Sequence, residues 1–295
     1  MNQARKKELA KKANEWVWGE SGRTKSELAR KTGVSVPYMT NICNGKWDDK
    51  HPSAAQWQKL EVFFREPDHI DSVNYMSITG ACNKAHALKS RIAIDGYTGA
   101  GKTYSLTRYV RKYSGAYLII CRSSMTNRSF LEELSRCLGI SKTSSRIYQI
   151  ERAIIEKVMG SQEDIVLIFD EVEYLKPGSL NSLKTIMQEL KGHCGFVVSG
   201  IIKEWLTKMA FREKPGMPQF LRRIGHSWVS MEAVSKEDVV SICQQKEIKD
   251  KNVVRWLYHN CKEYDALLTY VQELHTVAIQ DHVKIDVELC GELFG

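Results

Sequence analysis

The sequence lacks long hydrophobic runs, paired cysteines and internal repeats. No stretch of its 295 residues approaches the roughly 18 consecutive apolar residues of a membrane span, and the N-terminus lacks the apolar core of a signal peptide. Its eight cysteines stand singly, without the spacing of a zinc site or a disulfide framework. We therefore expect a cytoplasmic protein with reduced thiols, no zinc site and no membrane partner.

The composition is that of a globular protein, but the charge is uneven. Hydrophobic residues make up 43% and charged residues 26%, which argues against disorder or a coiled-coil rod. Residues 1–65 hold 13 Lys or Arg against 7 Asp or Glu, whereas residues 66–295 hold 30 against 28. A basic module therefore precedes a nearly neutral one. This indicates a polyanion partner, nucleic acid first, although solvated Lys-rich helices alone give the same imbalance.

The basic module carries the signals of two short helices joined by a turn. Thr24 and Glu27 have capping-box spacing, and Gly33 suits the end of the helix that they open. Ser35 is placed to cap the next helix, with Pro37 in its first turn. Helix, glycine-containing turn and helix are the spacing of a helix-turn-helix.

The segment LARKTGVSVPYMTNICNGK at residues 28–46 resembles the helix-turn-helix of phage-repressor-like DNA-binding domains. The resemblance implies that residues 36–43 form a helix in the major groove of double-stranded DNA. According to this resemblance, four side chains of the helix and its cap point outward: Ser35, Tyr38, Thr40 and Asn41. It also implies that four basic residues lie near DNA phosphates: Lys25, Arg30, Lys31 and Lys46. The alternative is a three-helix module that docks protein or merely forms a cap.

A phosphate-binding loop follows a short apolar run. Residues 91–95 suit a buried parallel strand and lead directly into GYTGAGKT at residues 96–103, which matches G-x-x-x-x-G-K-T before a helical stretch. Glycines let backbone N–H groups surround phosphate oxygens, and the helix N-terminus adds a positive dipole end. We expect ATP here, with Lys102 on the β- and γ-phosphates and the Thr103 hydroxyl on Mg²⁺. The expected nucleotide contacts are Gly96, Thr98, Gly99, Ala100, Gly101, Lys102, Thr103 and Tyr104.

A second apolar run ends in two carboxylates. Residues 165–169 are followed by Asp170 and Glu171. Downstream of a P-loop, this pattern predicts a Walker B strand, in which Asp170 orients the Mg²⁺ shell and Glu171 polarises a water for attack on the γ-phosphate.

Five strands are predicted in all. Further apolar runs at residues 116–121, 195–199 and 226–230 complete the set, and helical segments separate them. The pattern predicts an α/β fold with a five-stranded parallel sheet, crossover helices on its faces, and the ligand at the carboxyl ends of the strands.

The chain resembles the MuB-like and IstB-like AAA+ ATPases of DNA transposition. The resemblance rests on the helix-turn-helix before the P-loop, DEVEYL at residues 170–175 and FLRRIG at residues 220–225. It implies an ATP-dependent oligomer, often a filament, that captures target DNA and delivers it to a transposase while stimulating that enzyme. The implied domains are a helix-turn-helix at 1–65, a linker at 66–88, an AAA+ core at 89–230 and a helical lid at 231–295.

At three positions the sequence matches the family's functional residues less well. Arg222 and Arg223 lie where the family keeps an arginine finger, although adjacent arginines at a helix end are also common as solvated or dipole partners. Only Ser199 can replace the usual polar sensor after the fourth strand, and Leu268 stands where the lid commonly has arginine. We therefore expect slow, regulatory ATP hydrolysis. The alternative function is a helix-turn-helix transcriptional regulator with a nucleotide-sensing P-loop domain.

Overall fold

A computed structural model of the chain describes residues 3–18, 24–48, 51–64, 71–141, 144–205, 227–280 and 283–295. Four helices form the N-terminal module, α1 (Gln3–Trp18), α2 (Lys25–Thr32), α3 (Val36–Cys43) and α4 (Ala54–Phe64). They enclose their own apolar core around the fully buried indole of Trp57. Helices α2 and α3 lie where the helix-turn-helix was predicted, with Gly33 in the left-handed conformation between them.

Two capping predictions need correction. The Thr24 hydroxyl accepts the Glu27 N–H as expected, at 3.1 Å, but the Glu27 carboxylate does not complete the capping box. It is buried beside Lys31 instead, because an oppositely charged partner lies one helical turn away. Ser35 occupies the N-cap position of α3, yet its hydroxyl makes no capping hydrogen bond.

The centre of the chain is a parallel sheet in the order β2-β3-β4-β1-β5. Its strands are β1 (Arg91–Asp95), β2 (Ala116–Ile120), β3 (Val166–Asp170), β4 (Gly195–Gly200) and β5 (Trp228–Ser230). All four pairings are parallel, which confirms the predicted fold class. Strands β3 and β4 are buried along their whole length because helices cover both faces.

The helices of the core are α5 (Val73–Leu88), α6 (Lys102–Lys112), α7 (Asn127–Cys137), α8 (Ile147–Met159) and α9 (Pro177–Glu189). The linker expected at residues 66–88 is wrong for its larger part. Ser72 caps α5, and α5 packs on β1 and β4. Burial of Ile78 and Ala85 against the sheet makes this segment part of the core.

Four helices form the predicted C-terminal bundle, α10 (Lys236–Gln245), α11 (Lys251–Asn260), α12 (Tyr264–Gln280) and α13 (Val287–Phe294). Ser235 and Asp238 form a capping box at the start of α10, as the sequence pattern indicated. The bundle has a separate apolar core. Within the described ranges, no helix combines the length and the hydropathy needed to cross a bilayer.

Candidate functional site

The P-loop connects β1 to α6 at the carboxyl edge of the sheet. Gly101 is the N-cap residue of α6 and has a φ of 77°, a left-handed conformation that glycine adopts without a steric penalty. The Lys102 ammonium donates hydrogen bonds to the Gly96 and Tyr97 carbonyls at 2.8 and 2.7 Å. Burial lowers the pKa of Lys102, and nearby carboxylates, Asp170 first, oppose that shift. This lysine is therefore held at the mouth of the loop, where it can meet a phosphate.

Thr103 and Asp170 come together from two different elements. The hydroxyl of Thr103, in the first turn of α6, donates to Asp170 Oδ2 at 2.6 Å. Asp170 ends β3 and is fully buried. A hydroxyl beside a carboxylate is a hard oxygen donor set of the kind that Mg²⁺ prefers. The two residues fit the predicted metal role, and bound Mg²⁺ would supply charge neutralisation for phosphate oxygens.

Glu171 adopts an unusual backbone conformation directly after Asp170. Its φ is 55°, which is uncommon for a residue other than glycine. Its N–H donates to Asp170 Oδ1 at 3.0 Å. Burial raises the pKa of the Glu171 carboxyl, and the charges of Asp170 and Glu173 raise it further. A carboxylate with a raised pKa beside the P-loop suits the predicted role of proton acceptor.

The C-terminal bundle contacts the P-loop directly. The N–H groups of Tyr264 and Asp265 point at the Gly99 carbonyl, at 3.1 and 3.4 Å. The buried Asn74 amide donates to the Ala100 carbonyl at 3.4 Å and to the Glu232 carbonyl at 2.9 Å. The bundle, the P-loop and α5 are therefore joined by hydrogen bonds, which supports its prediction as a lid.

A cavity of about 600 Å³ lies between the P-loop helix and the lid. Its lining is mostly apolar and includes Tyr104, which the sequence analysis assigned to nucleotide, and Leu268, whose side chain is 44% exposed. Residues from α5 and α10 complete the wall, among them Tyr75 and Ile242. The apolar lining beside the P-loop suits a flat heterocyclic base.

The expected sensor position contains an unusual arrangement. The Ser199 hydroxyl is buried in β4 and has no hydrogen-bond partner among the described residues. Glu173, in the 3₁₀ turn Val172–Tyr174 after β3, reaches the end of β4 and accepts the Ile201 N–H at 3.1 Å. Sequence reasoning missed Glu173 and Asn74. Glu173 was visible as a third carboxylate after β3, whereas no local motif marks Asn74.

Comparison with known proteins agrees with this geometry. The family described as "AAA domain" matches residues 86–209. The Mu-like prophage FluMu DNA transposition protein B of Haemophilus influenzae is 28% identical over 191 residues, which cover 61% of this chain and 65% of that protein. The chain is therefore similar to MuB-like AAA+ ATPases over these residues. It thus spans slightly less than two thirds of the relative that it matches.

Solved structures share the fold at low sequence identity. Cdc6p from Pyrobaculum aerophilum has a TM-score of 0.56 at 13% identity, over 75% of this chain and 66% of that chain. The Aeropyrum pernix ORC1 protein, in complex with DNA, has a TM-score of 0.52 at 14% identity, over 75% and 64%. NtrX from Brucella abortus, in complex with ATP, has a TM-score of 0.50 at 15% identity, over 83% and 60%. These similarities support the predicted α/β fold with its parallel sheet and flanking helices.

The residues expected to face DNA on and beside α3 are exposed or half-buried. Ser35 and Asn41 are exposed, and Tyr38 and Thr40 are half-buried. Thr40 donates its hydroxyl to the Val36 carbonyl. Lys46 is exposed after the helix, and Lys25 donates to the Asn44 amide oxygen at 2.8 Å. The role of these six residues in DNA binding stays a prediction.

Arg30 and Lys31, which were predicted as phosphate contacts, make contacts within the protein. The Arg30 guanidinium lies over the Tyr117 ring and donates to its hydroxyl at 3.3 Å. The Lys31 ammonium, 7% exposed, donates to the Val110 and Tyr113 carbonyls at 2.5 and 3.1 Å. Both residues join α2 to the sheet domain. Arg30 does so through Tyr117 of β2, and Lys31 through carbonyls at the end of α6, which accept hydrogen bonds and attract cations.

The proposed arginine-finger residues, Arg222 and Arg223, lie outside the described residues, as does His226. Their roles remain predictions.

Proposed function

We propose that this protein is an ATP-dependent DNA-binding regulator of transposition. It assembles on target DNA as an oligomer or filament, captures that DNA and activates a transposase, with slow ATP hydrolysis as the switch. The observation that carries this proposal is the position of α6, which begins at the Thr103–Asp170 pair and ends against the helix-turn-helix module.

The two ends of α6 connect the two proposed activities. At its first turn, Lys102 and Thr103 are placed for phosphate and Mg²⁺. At its last turn, the Arg111 carbonyl accepts a hydrogen bond from the Trp16 indole at 2.7 Å, and Lys31 binds neighbouring carbonyls. Because an α-helix is a stiff element, a shift of its N-terminus on nucleotide binding is carried to the module that holds α3.

Properties of the similar proteins support this combination of DNA binding and ATP binding. The Haemophilus influenzae relative is described as a DNA transposition protein, the Aeropyrum pernix structure contains DNA, and the Brucella abortus structure contains ATP. We extend these properties to this chain as part of the proposal. ATP with Mg²⁺ is the cofactor pair, double-stranded DNA and a transposase are the partners, and the cytoplasm is the site of action.

Slow hydrolysis follows from the side chains around the phosphate site. Ser199 has a buried hydroxyl without a partner in the described chain, and Leu268 lines the cavity beside the P-loop. Neither leucine nor an isolated buried serine supplies a cation for the charge that develops on the γ-phosphate. A nucleotide that remains bound for long is suited to hold subunits together on DNA.

DNA binding with and without nucleotide tests the proposal. We expect a fluorescent duplex of arbitrary sequence to bind at least about tenfold more tightly with ATP than without, with an affinity that falls steeply as salt rises. Lys102→Ala, which removes the phosphate contact, is the matched control and is expected to lose the ATP effect. Tight binding to one palindrome, independent of ATP, would favour a transcriptional regulator instead.

A further inference from the structure

The end of β4 is attached to the P-loop on one side and to the Walker B turn on the other. The Gly96 N–H donates to the Gly200 carbonyl at 3.1 Å. One peptide further, the Ile201 N–H donates to Glu173 Oε1 at 3.1 Å. Glu173 therefore holds, by a hydrogen bond, a backbone segment that is itself hydrogen-bonded to the first residue of the phosphate-binding loop.

Among the described residues, only one of the two Glu173 carboxylate oxygens has a partner. Oε2 is buried and makes no hydrogen bond to any described residue. It lies so close to Gly200 that a Cβ on that residue would overlap it. Burial of an unpaired carboxylate oxygen is unfavourable, so Oε2 calls for a hydrogen-bond donor beyond those of the described residues.

The charge of Glu173 reaches the groups that are placed for ATP hydrolysis. It helps to raise the pKa of Glu171, after burial and Asp170. It also opposes the lowering of the Lys102 pKa. Glu173 is thus an electrostatic neighbour of the proposed proton acceptor and of the phosphate-binding lysine, while Ser199 on the adjacent strand has no partner in the described part of the chain.

We propose that Glu173 is a catalytic residue for ATP hydrolysis and replaces the polar sensor side chain, for which β4 offers only the buried Ser199. Its Oε1 fixes the end of β4 through the Ile201 N–H. Its Oε2 accepts a hydrogen bond from the attacking water, which orients that water toward the γ-phosphate while Glu171 receives its proton. This inference rests on the proposed ATP hydrolysis and adds a third carboxylate to its machinery.

Two substitutions separate this role from a structural one. Glu173→Gln keeps an oxygen for the Ile201 N–H but replaces the second acceptor with an N–H₂ donor. Gly200→Ala leaves Glu173 in the chain but displaces its flexible carboxylate, because the new methyl group occupies the space of Oε2. Gly80→Ala is the matched control, since no atom outside the local helix lies within 4 Å of a Cβ at this position.

We expect kcat for ATP hydrolysis to fall about 10- to 100-fold in both Glu173→Gln and Gly200→Ala. KM and the Kd for a fluorescent ATP analogue with Mg²⁺ should stay within about twofold of those of the unmodified protein. The unfolding midpoint of the nucleotide-free Glu173→Gln variant should not move. Gly80→Ala should retain full kcat.

Three outcomes would overturn this assignment. A Glu173→Gln variant with unmodified kcat would show that Oε2 plays no part in hydrolysis. A loss of ATP-analogue affinity equal to the loss of kcat would make Glu173 a binding residue. An unmodified protein that binds ATP but never hydrolyses it would refute hydrolysis as well as this role, whereas hydrolysis with an unaffected Glu173→Gln variant refutes this role alone.

Discussion

Replacement of Lys31 by Met is expected to destabilise the protein strongly, although sequence reasoning placed this lysine on DNA. The side chains of Lys31 and Glu27 are only 7% and 5% exposed, and the ammonium lies 3.5 Å from Glu27 Oε1. Glu27 Oε2 also accepts the Ser114 hydroxyl at 3.0 Å, from the loop after α6. Met fills a similar volume but leaves a buried carboxylate without its cation.

The expected loss of stability follows from the cost of removing one partner of a buried ion pair while the other stays buried. Removing the cation alone typically costs about 3–5 kcal/mol, whereas removing both charges is often nearly neutral. We therefore expect Lys31→Met to lower the free energy of unfolding by about 3–5 kcal/mol. The double variant Glu27→Gln/Lys31→Met should recover at least half of that loss, although the α6 carbonyls still lose their donor.

Urea unfolding followed by circular dichroism measures this loss, with Lys46→Met as the exposed control. Lys46→Met should change the free energy of unfolding by no more than about 0.5 kcal/mol. In DNA binding, we expect Lys46→Met to have the larger effect and Lys31→Met the smaller one. Lys46→Met should reduce the salt dependence by about one phosphate contact, and Lys31→Met should leave it unchanged. Equal stability of the two variants, or a reduced salt slope for Lys31→Met, would refute the interpretation of Lys31 as a docking residue.

Three further predictions concern the nucleotide site and the DNA surface. Glu171→Gln should retain ATP and prolong the lifetime of the DNA-bound oligomer, because the proton acceptor is lost; unmodified hydrolysis by this variant would contradict the role of Glu171. Leu268→Trp should fill part of the 600 Å³ cavity and weaken ATP binding at least about tenfold in calorimetry, since the base loses its space; unchanged affinity would place the base elsewhere. Asn41→Ala should weaken DNA binding without changing ATP affinity, and equal DNA affinity in titrations would remove α3 from the interface.

Local patterns were sufficient to predict most of the core. The P-loop, the five parallel strands and the carboxylates after β3 follow from residues adjacent in sequence, and the structure has them within a few residues of the expected bounds. The roles of the individual site residues stay predictions, because they depend on ligands. Arg222 and Arg223 belong to this group too, since both lie outside the described residues.

Helix α5 was missed although its sequence contains a signal. Its buried residues Ile78, Ala81, Cys82 and Ala85 follow helical spacing. Their small side chains give a weak apolar stripe, and the polar segment before Ser72 resembles a linker. The packing of α5 on the sheet, rather than its own periodicity, makes it a helix of the core.

The contacts of Arg30 and Lys31 could not be predicted from local sequence. A basic residue on a helix-turn-helix has the same local pattern whether it meets a phosphate or a carbonyl group. The partners of Lys31, Val110 and Tyr113, lie about 80 positions away in sequence. Only the docking of the module on α6 determines which contact forms, and that docking is a tertiary property.

The central claim is that nucleotide bound at the P-loop controls assembly on DNA, and electron microscopy of the protein with duplex DNA tests it most directly. With ATP and Mg²⁺ we expect regular protein oligomers or filaments along the duplex, and bare DNA when ATP is omitted or Lys102 is replaced by Ala. Equal coating of the duplex without ATP, or by the Lys102→Ala variant, would contradict the claim.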